Sequence, residues 1–148
     1  MTSLDDALAE FNTARHASMS REPWASLLDR LAQATFRAKE HLIVYGSLSP
    51  GAPNHGRLAP LGGTWEAGWV EGDRAAVGWG SELGFPALRW RPGGARVTAH
   101  LLRSPALAGH WAALDQFEGV AYRRILAPFY TDQGLRAVGY LYAAAPAR

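Results

Sequence analysis

The sequence predicts an α+β protein in which an N-terminal pair of helices precedes a small barrel-like sheet with one internal helix. Residues 1–40 contain no glycine, whereas residues 41–148 contain all sixteen. After His41, short apolar runs alternate with glycine, proline and aspartate, as in an antiparallel sheet or barrel. We therefore divide the chain into a helical extension, residues 1–40, and a barrel domain, residues 41–148.

The glycine-free segment contains two predicted helices. Ser3 is a suitable N-cap, and the acids that follow it in the first turn favour the helix dipole. Pro23 fits the first turn of a second helix, whose apolar stripe runs from Trp24 to Phe36. We expect this hairpin to pack against the domain or against a second copy of the chain, as in a homo-oligomer. Recruitment of another partner is the alternative.

The barrel domain consists mostly of predicted strands. Its first strand is Leu42–Tyr45, and a loop rich in glycine and proline follows over residues 46–60. A helix is predicted over Ala106–Phe117, where apolar residues share one face. The remaining predicted strands are Trp65–Trp69, Ala75–Trp79, Ala87–Trp90, Ala95–Leu102, Arg124–Tyr130 and Leu135–Tyr142.

Composition excludes several classes of function. The chain has no cysteine, and therefore no thiolate nucleophile or thiolate metal site. No apolar run approaches the ~20 residues that span a bilayer, and the N-terminus is acidic where a signal peptide is basic. We therefore expect a soluble cytoplasmic protein. Fourteen of the fifteen basic residues are arginines, but they are scattered, so neither nucleic acid nor membrane is an expected partner.

Two short segments carry the candidate chemistry. Tyr45-Gly46-Ser47-Leu48 ends an apolar strand on a turn, where successive backbone N–H groups can bind an anion. A plain strand-to-loop turn is the alternative, and the sequence lacks the lysine of a phosphate loop.

The second segment contains Glu118, which follows the predicted helix and precedes Gly119. Carboxylates are disfavoured at helix C-termini, so this placement suggests a function. Apolar neighbours such as Trp111, Phe117 and Val120 would raise the pKa of Glu118 and suit it to general-base catalysis. An exposed loop glutamate is the alternative.

Other residues give weaker signals. Asp115 precedes Glu118 by three positions, and paired carboxylates can divide acid and base roles, but an acid at this spacing on a helix is more often solvated or bonded to the backbone. His55 lies near the candidate loop and would contact substrate or stabilise a turn. Ser47 and Ser49 lack the Gly-x-Ser-x-Gly context of a serine hydrolase.

These segments together resemble the γ-glutamylcyclotransferase-like (AIG2-like) family. Seven pieces match in order over about residues 42–142: Val44–Leu48, Pro50–His55, Gly84–Leu88, Val97–Leu102, Leu114–Gly119, Tyr122–Arg124 and Val138–Tyr142. Ala99 stands where many members have glycine. The loop ends in Leu48, as in the branch acting on γ-glutamylamines and in AIG2-like proteins, rather than in asparagine.

The resemblance implies a small mixed barrel with a central cavity and a reaction that needs no cofactor. It implies that the amides of Tyr45–Leu48 hold a γ-glutamyl substrate and that Glu118 accepts the proton. It also implies that Tyr140 and Tyr122 line the pocket. The expected reaction cyclises the substrate to 5-oxoproline and releases an amine or amino acid. The alternatives are a non-catalytic small-molecule binding barrel and a hydrolase or transferase that uses the same cavity.

Overall fold

The computed structural model describes residues 37–75 and 87–144, which form six strands and one α-helix. Short 3-10 helices lie at Ala38–Glu40, His55–Arg57, Ala59–Leu61 and Pro105–Gly109. The main elements are β1 (His41–Val44), β2 (Thr64–Ala75), β3 (Ala87–Trp90), β4 (Ala95–Arg103), α1 (Trp111–Glu118), β5 (Tyr122–Thr131) and β6 (Gly134–Ala144).

Five of the strands close into a barrel. The sheet order is β3-β2-β4-β1-β6-β5, and pairing of Trp69 in β2 with Tyr130 in β5 closes the ring. β1 and β6 are parallel, with Leu42 opposite Tyr140, whereas the other pairs are antiparallel. The C-terminal end of β2 extends beyond its pairing with β4, and β3 is an additional strand that pairs with this end. The predicted α+β class and the small mixed barrel are confirmed.

Two apolar clusters lie on opposite sides of the barrel wall. Side chains alternate along each strand, so Leu42 belongs to one cluster and Ile43 to the other. The cluster containing Ile43 draws its buried residues only from strands, which identifies it as the barrel interior. The other cluster includes Trp111 and Leu114 of α1 and covers the outer face beneath that helix.

The predicted internal helix is interrupted, contrary to the expectation of one helix over Ala106–Phe117. A 3-10 helix begins after Ser104, whose buried Oγ accepts a hydrogen bond from the amide of Ala106 at 3.3 Å. It ends at Gly109, and α1 begins only after His110. Glycine is a poor helix former, and the angles of His110 (φ −118°, ψ 0°) depart from those of a regular α-helix. At its other end the helix extends one residue beyond the prediction, so Glu118 is the last helical residue instead of the first residue after the helix.

The other predicted elements agree in part with the structure. Ala87–Trp90 is reproduced, and β1 begins and ends one residue earlier than predicted, so Tyr45 follows the strand instead of ending it. The other described strands extend by one to several residues beyond their predicted bounds. Of the predicted strand Ala75–Trp79, Ala75 ends β2 and residues 76–79 lie outside the described residues. The helical extension also lies outside them up to residue 36, after which Arg37 adopts a left-handed conformation (φ 54°) before the first 3-10 helix.

No helix among residues 37–75 and 87–144 is both long and apolar enough to cross a lipid bilayer. Within the same ranges, no three histidine, aspartate or glutamate side chains come together as a metal-binding group.

Candidate active site

The central residue of the site is Glu118, at the C-terminus of α1. Gly119 ends the helix in a left-handed conformation (φ 81°), which glycine adopts without steric cost. Glu118 turns toward the barrel and is only 8% exposed. Burial raises its pKa from 4.5 to about 7, because desolvation disfavours the carboxylate. Such a carboxyl can take up and return a proton near neutral pH.

Tyr45 and Tyr142 approach Glu118 from the barrel. The Tyr45 hydroxyl donates to the carbonyl oxygen of Tyr142 at 2.5 Å and accepts from the amide of Leu88 at 3.0 Å. Burial is the main cause of the raised pKa of both tyrosines, and the nearby charge of Glu118 raises each further. The ends of β1, β6 and α1 and the first half of β3 therefore meet at one point.

The loop after β1 is a series of turns that buries Ser47 and Leu48. The amide of Asn54 donates to the Ser47 carbonyl at 2.8 Å, and its side chain donates to Ser47 Oγ at 3.0 Å. Among the turn and loop hydrogen bonds of the described residues, none has the N–H of Gly46, Ser47 or Leu48 as donor. The loop is therefore compatible with the predicted anion-binding role.

His55 and Arg57 hold the second half of this loop in place. The Nδ1 atom of His55 lies 3.1 Å from the carbonyl oxygen of Leu48, and its ring packs on Trp65 at 5.1 Å. This arrangement favours the turn-stabilising role for His55. The Arg57 guanidinium lies 4.0 Å above the ring of Phe117, so the loop reaches the residue preceding Glu118.

The apolar surroundings of Glu118 are only partly those that the sequence suggests. Trp111 is buried in the cluster beneath α1, and Phe117 packs against that cluster. Val120 is 94% exposed, so it does not contribute to the desolvation of Glu118.

Tyr122 and Tyr140 lie in the apolar layer under α1. Tyr122 is buried at the start of β5, near enough to Tyr45 to affect its pKa. Tyr140 is fully buried, with its ring edge-on to Trp111 at 5.1 Å. This position gives Tyr140 a packing role, and its contact with substrate stays a prediction.

Sequence reasoning did not identify Tyr142, and it assigned Asp115 no definite partner. The Tyr142 hydroxyl donates to Asp115 Oδ1 at 2.6 Å, and Arg124 Nη2 donates to Asp115 Oδ2 at 3.2 Å. Asp115 is therefore engaged by a tyrosine and an arginine, which argues against the paired-carboxylate alternative. The sequence signal that could have placed Tyr142 near the site is its position two residues after Tyr140, which puts both side chains on one face of the strand.

A separate surface groove of about 510 Å³ lies at the other end of the β5–β6 hairpin. The Arg96 guanidinium lies 4.1 Å above the ring of Trp69 in its wall. Its other lining residues are Glu71, Gly93, Tyr130, Thr131, Asp132 and Gly134, none of which belongs to the site around Glu118.

The fold and the site define a small α+β barrel protein with a buried carboxyl group beside a strand-end loop. The signature of the family described as gamma-glutamyl cyclotransferase, AIG2-like, matches residues 42–148. The chain belongs to this family, as the sequence resemblance indicated. A search of curated proteins finds no match.

Solved structures show the same fold. An AIG2-like protein from Mus musculus is 22% identical with a TM-score of 0.57, over 74% of this chain and 79% of the mouse chain. YkqA from Bacillus subtilis is 24% identical with a TM-score of 0.54, over 71% of this chain and 35% of YkqA. This chain thus corresponds to about a third of YkqA.

Proposed function

We propose that the protein is a γ-glutamylcyclotransferase-type enzyme that converts a γ-glutamyl compound to 5-oxoproline and releases an amine or amino acid. The observation that carries this proposal is the burial of Glu118, with its pKa raised to about 7, beside the Tyr45–Leu48 loop. Family membership supports the reaction class. An acid with an ordinary pKa would be a weak base toward an ammonium group.

The substrate binds with its α-carboxylate or γ-carbonyl oxygen near the amides of Gly46, Ser47 and Leu48. Glu118 removes a proton from the α-ammonium, and the free amine attacks the γ-carbonyl carbon of the same molecule. The loop amides stabilise the oxyanion that forms, which contributes about 3–4 kcal/mol for each well-placed donor. The bond to the leaving nitrogen then breaks as protonated Glu118 gives its proton to that nitrogen. The ionised Glu118 then takes the second proton from the ring nitrogen and passes it to the released amine, which leaves as an ammonium. No cofactor takes part in this scheme.

The pocket walls supply the remaining catalytic effect. Ring closure requires the flexible γ-glutamyl chain to fold back on itself, and holding that conformer lowers the barrier by several kcal/mol. Tyr122 and Tyr140 are the proposed lining residues. The interior position of Ala99, fully buried in β4, shows that the barrel accommodates its methyl group where many members have glycine.

The first test is the Glu118→Gln substitution, assayed by mass spectrometry for 5-oxoproline release from a panel of γ-glutamyl amines, amino acids and peptides. Glutamine preserves shape and hydrogen bonding but cannot take up the proton. We expect activity to fall by about 10²- to 10⁴-fold, the usual contribution of a general acid–base group.

Glu71→Gln is the matched control, because it makes the same chemical change at a glutamate in the separate groove. It should retain native activity. Undiminished cyclisation by Glu118→Gln would refute the assignment of the base. Ligand binding without turnover would support the binding-barrel alternative, and release of free glutamate would support a hydrolase.

A further inference from the structure

Asp115 and Arg124 form an ion pair at the edge of the candidate site. Besides the Nη2 hydrogen bond, Arg124 Nε lies 3.0 Å from Asp115 Oδ1, an ion-pair contact outside hydrogen-bonding geometry. The guanidinium is 4.9 Å from the ring centres of both Trp111 and Tyr140. The Arg124 side chain is 17% exposed and that of Asp115 43%, so aromatic rings and strand β5 fix the arginine while the carboxylate faces partly outward.

Tyr142 connects this pair to the proton acceptor. Its hydroxyl donates to Asp115, and its carbonyl oxygen accepts the hydrogen bond from Tyr45. The charges of Asp115, Arg124 and Glu118 all act on the Tyr142 hydroxyl. Asp115 and Glu118 are three residues apart on α1, a spacing at which Cβ atoms lie about 5–6 Å apart on one helix face.

We propose that Asp115 and Arg124 act as a charge-neutral pair that positions Tyr142, and through it Tyr45, beside Glu118. Asp115 is then a positioning residue and not a second general acid. An unbalanced Asp115 would repel the ionised form of Glu118, whereas an unbalanced Arg124 would stabilise that form and make it a weaker base. A balanced pair fixes the tyrosines without either effect. The role of the pair in catalysis rests on the proposed function of Glu118 as the base.

The charges of Asp115 and Arg124 act in opposite directions on the pKa of Tyr142, which Asp115 raises and Arg124 lowers. Burial raises the pKa of Glu118. Among residues 37–75 and 87–144, other ionisable groups close to this arrangement include Tyr45, whose hydroxyl is affected by both Glu118 and Tyr122, and Arg57, which stacks on Phe117.

The decisive experiment is an NMR titration of ¹³C-labelled glutamate carboxyl groups, with the Glu118 signal assigned by its loss in Glu118→Gln. Asp115→Asn leaves the Arg124 charge unbalanced and should lower the pKa of Glu118 by roughly half a unit. Arg124→Met leaves the Asp115 charge unbalanced and should raise it by a similar amount. Such shifts are typical of one solvent-screened unit charge at close range.

Opposite shifts distinguish charge balance from a merely structural role. Loosening of the site would admit water and move the pKa of Glu118 downward in both variants. Shifts in the same direction, or no shift in either variant, would overturn the proposal. Asp73→Asn is the matched control, because Asp73 on β2 binds Arg91, which directly follows β3, through contacts of 2.9 and 3.1 Å in an exposed pair. That variant should leave the titration of Glu118 unchanged.

A double-mutant cycle on kcat/KM tests whether Asp115 acts through Tyr142. If it does, Asp115→Asn should cost less activity in a Tyr142→Phe background than in the native protein, because only its charge effect on Glu118 then remains. Multiplicative losses would show that Asp115 acts by another route and would overturn the positioning role. The NMR titration requires no turnover, so failure of the proposed reaction and failure of the charge-neutral pair give different results.

Discussion

At the scale of single residues, Glu118 combines two unfavourable placements. A carboxylate at a helix C-terminus lies at the negative end of the helix dipole, and burial separates it from water. Both effects favour the protonated form. The same location makes the group a stronger base once it is ionised, so the sequence anomaly at Glu118 has a chemical use in the proposed reaction.

The pH dependence of the native enzyme follows from this residue. Glu118 must be ionised to accept the α-ammonium proton, and its pKa is about 7. We therefore expect kcat/KM for 5-oxoproline formation to rise about tenfold per pH unit below 7 and to level off above it. Initial rates at low substrate concentration between pH 5 and 8 measure this rise in kcat/KM. A rise centred near the ordinary glutamate pKa of 4.5 would show that the catalytic base is not desolvated.

At the scale of secondary structure, the bounds of an element could be predicted where proline or glycine marks its ends. β3 was predicted with its correct bounds, because Pro86 precedes it and Pro92-Gly93 follows it. The break near Gly109 was missed, since apolar spacing continues across it from Leu107 to Trp111. The break places Trp111 at the start of α1, where a tertiary contact holds it. The Trp111 indole N–H donates to the carbonyl oxygen of Lys39 at 2.9 Å. That bond fixes the helix against the chain before β1.

Gly68 in β2 allows the barrel to close. A Cβ atom added there would lie 2.2 Å from the Tyr130 carbonyl oxygen and 2.6 Å from the Phe129 ring. Because Trp69 pairs with Tyr130 across the β2–β5 junction, neither backbone can retreat without opening the ring. We expect Gly68→Ala to cost about 3 kcal/mol or more in the free energy of unfolding, as overpacking does against backbone. Urea denaturation measures this loss.

Gly109→Ala is the control for this substitution, because a Cβ atom at Gly109 meets nothing within 4 Å and the residue has no left-handed angle. Its stability should stay near that of the native protein. Equal urea-denaturation midpoints for the Gly68→Ala and Gly109→Ala variants would mean that β2 and β5 do not pack as tightly as the structure shows.

At the scale of the whole molecule, the site depends on contacts between distant segments. Tyr45 and Tyr142 are 97 positions apart, and Asp115 and Tyr142 are 27 apart. Residue type and local spacing indicated the Tyr45–Leu48 turn and Glu118 as candidates, because glycine and an acid at a helix end are local signals. They could not select Tyr142 over Tyr140. Both side chains face the same cluster, and only the position of α1 above the barrel separates a packing tyrosine from one beside Glu118.

The stability of the whole domain should also depend on Glu118. Its pKa is 4.5 in the unfolded chain and about 7 in the folded one, so the folded protein binds the proton more tightly between these values. The associated stability is fully present below pH 4.5, falls as pH rises through the window and is lost above about 7. The difference between the folded and unfolded pKa values corresponds to roughly 3 kcal/mol in the free energy of unfolding.

Glu118→Gln removes this dependence, because glutamine does not ionise. The variant should match the native protein in unfolding free energy near pH 4.5 and exceed it by up to roughly 3 kcal/mol at pH 8. Urea denaturation of both proteins at the two pH values measures the difference, with Glu71→Gln as a variant that should follow the native curve. A Glu118→Gln protein that gains no stability at pH 8 would show that the buried carboxylate carries no desolvation cost. Gain of stability together with loss of turnover would instead identify Glu118 as a residue whose stability cost serves the reaction.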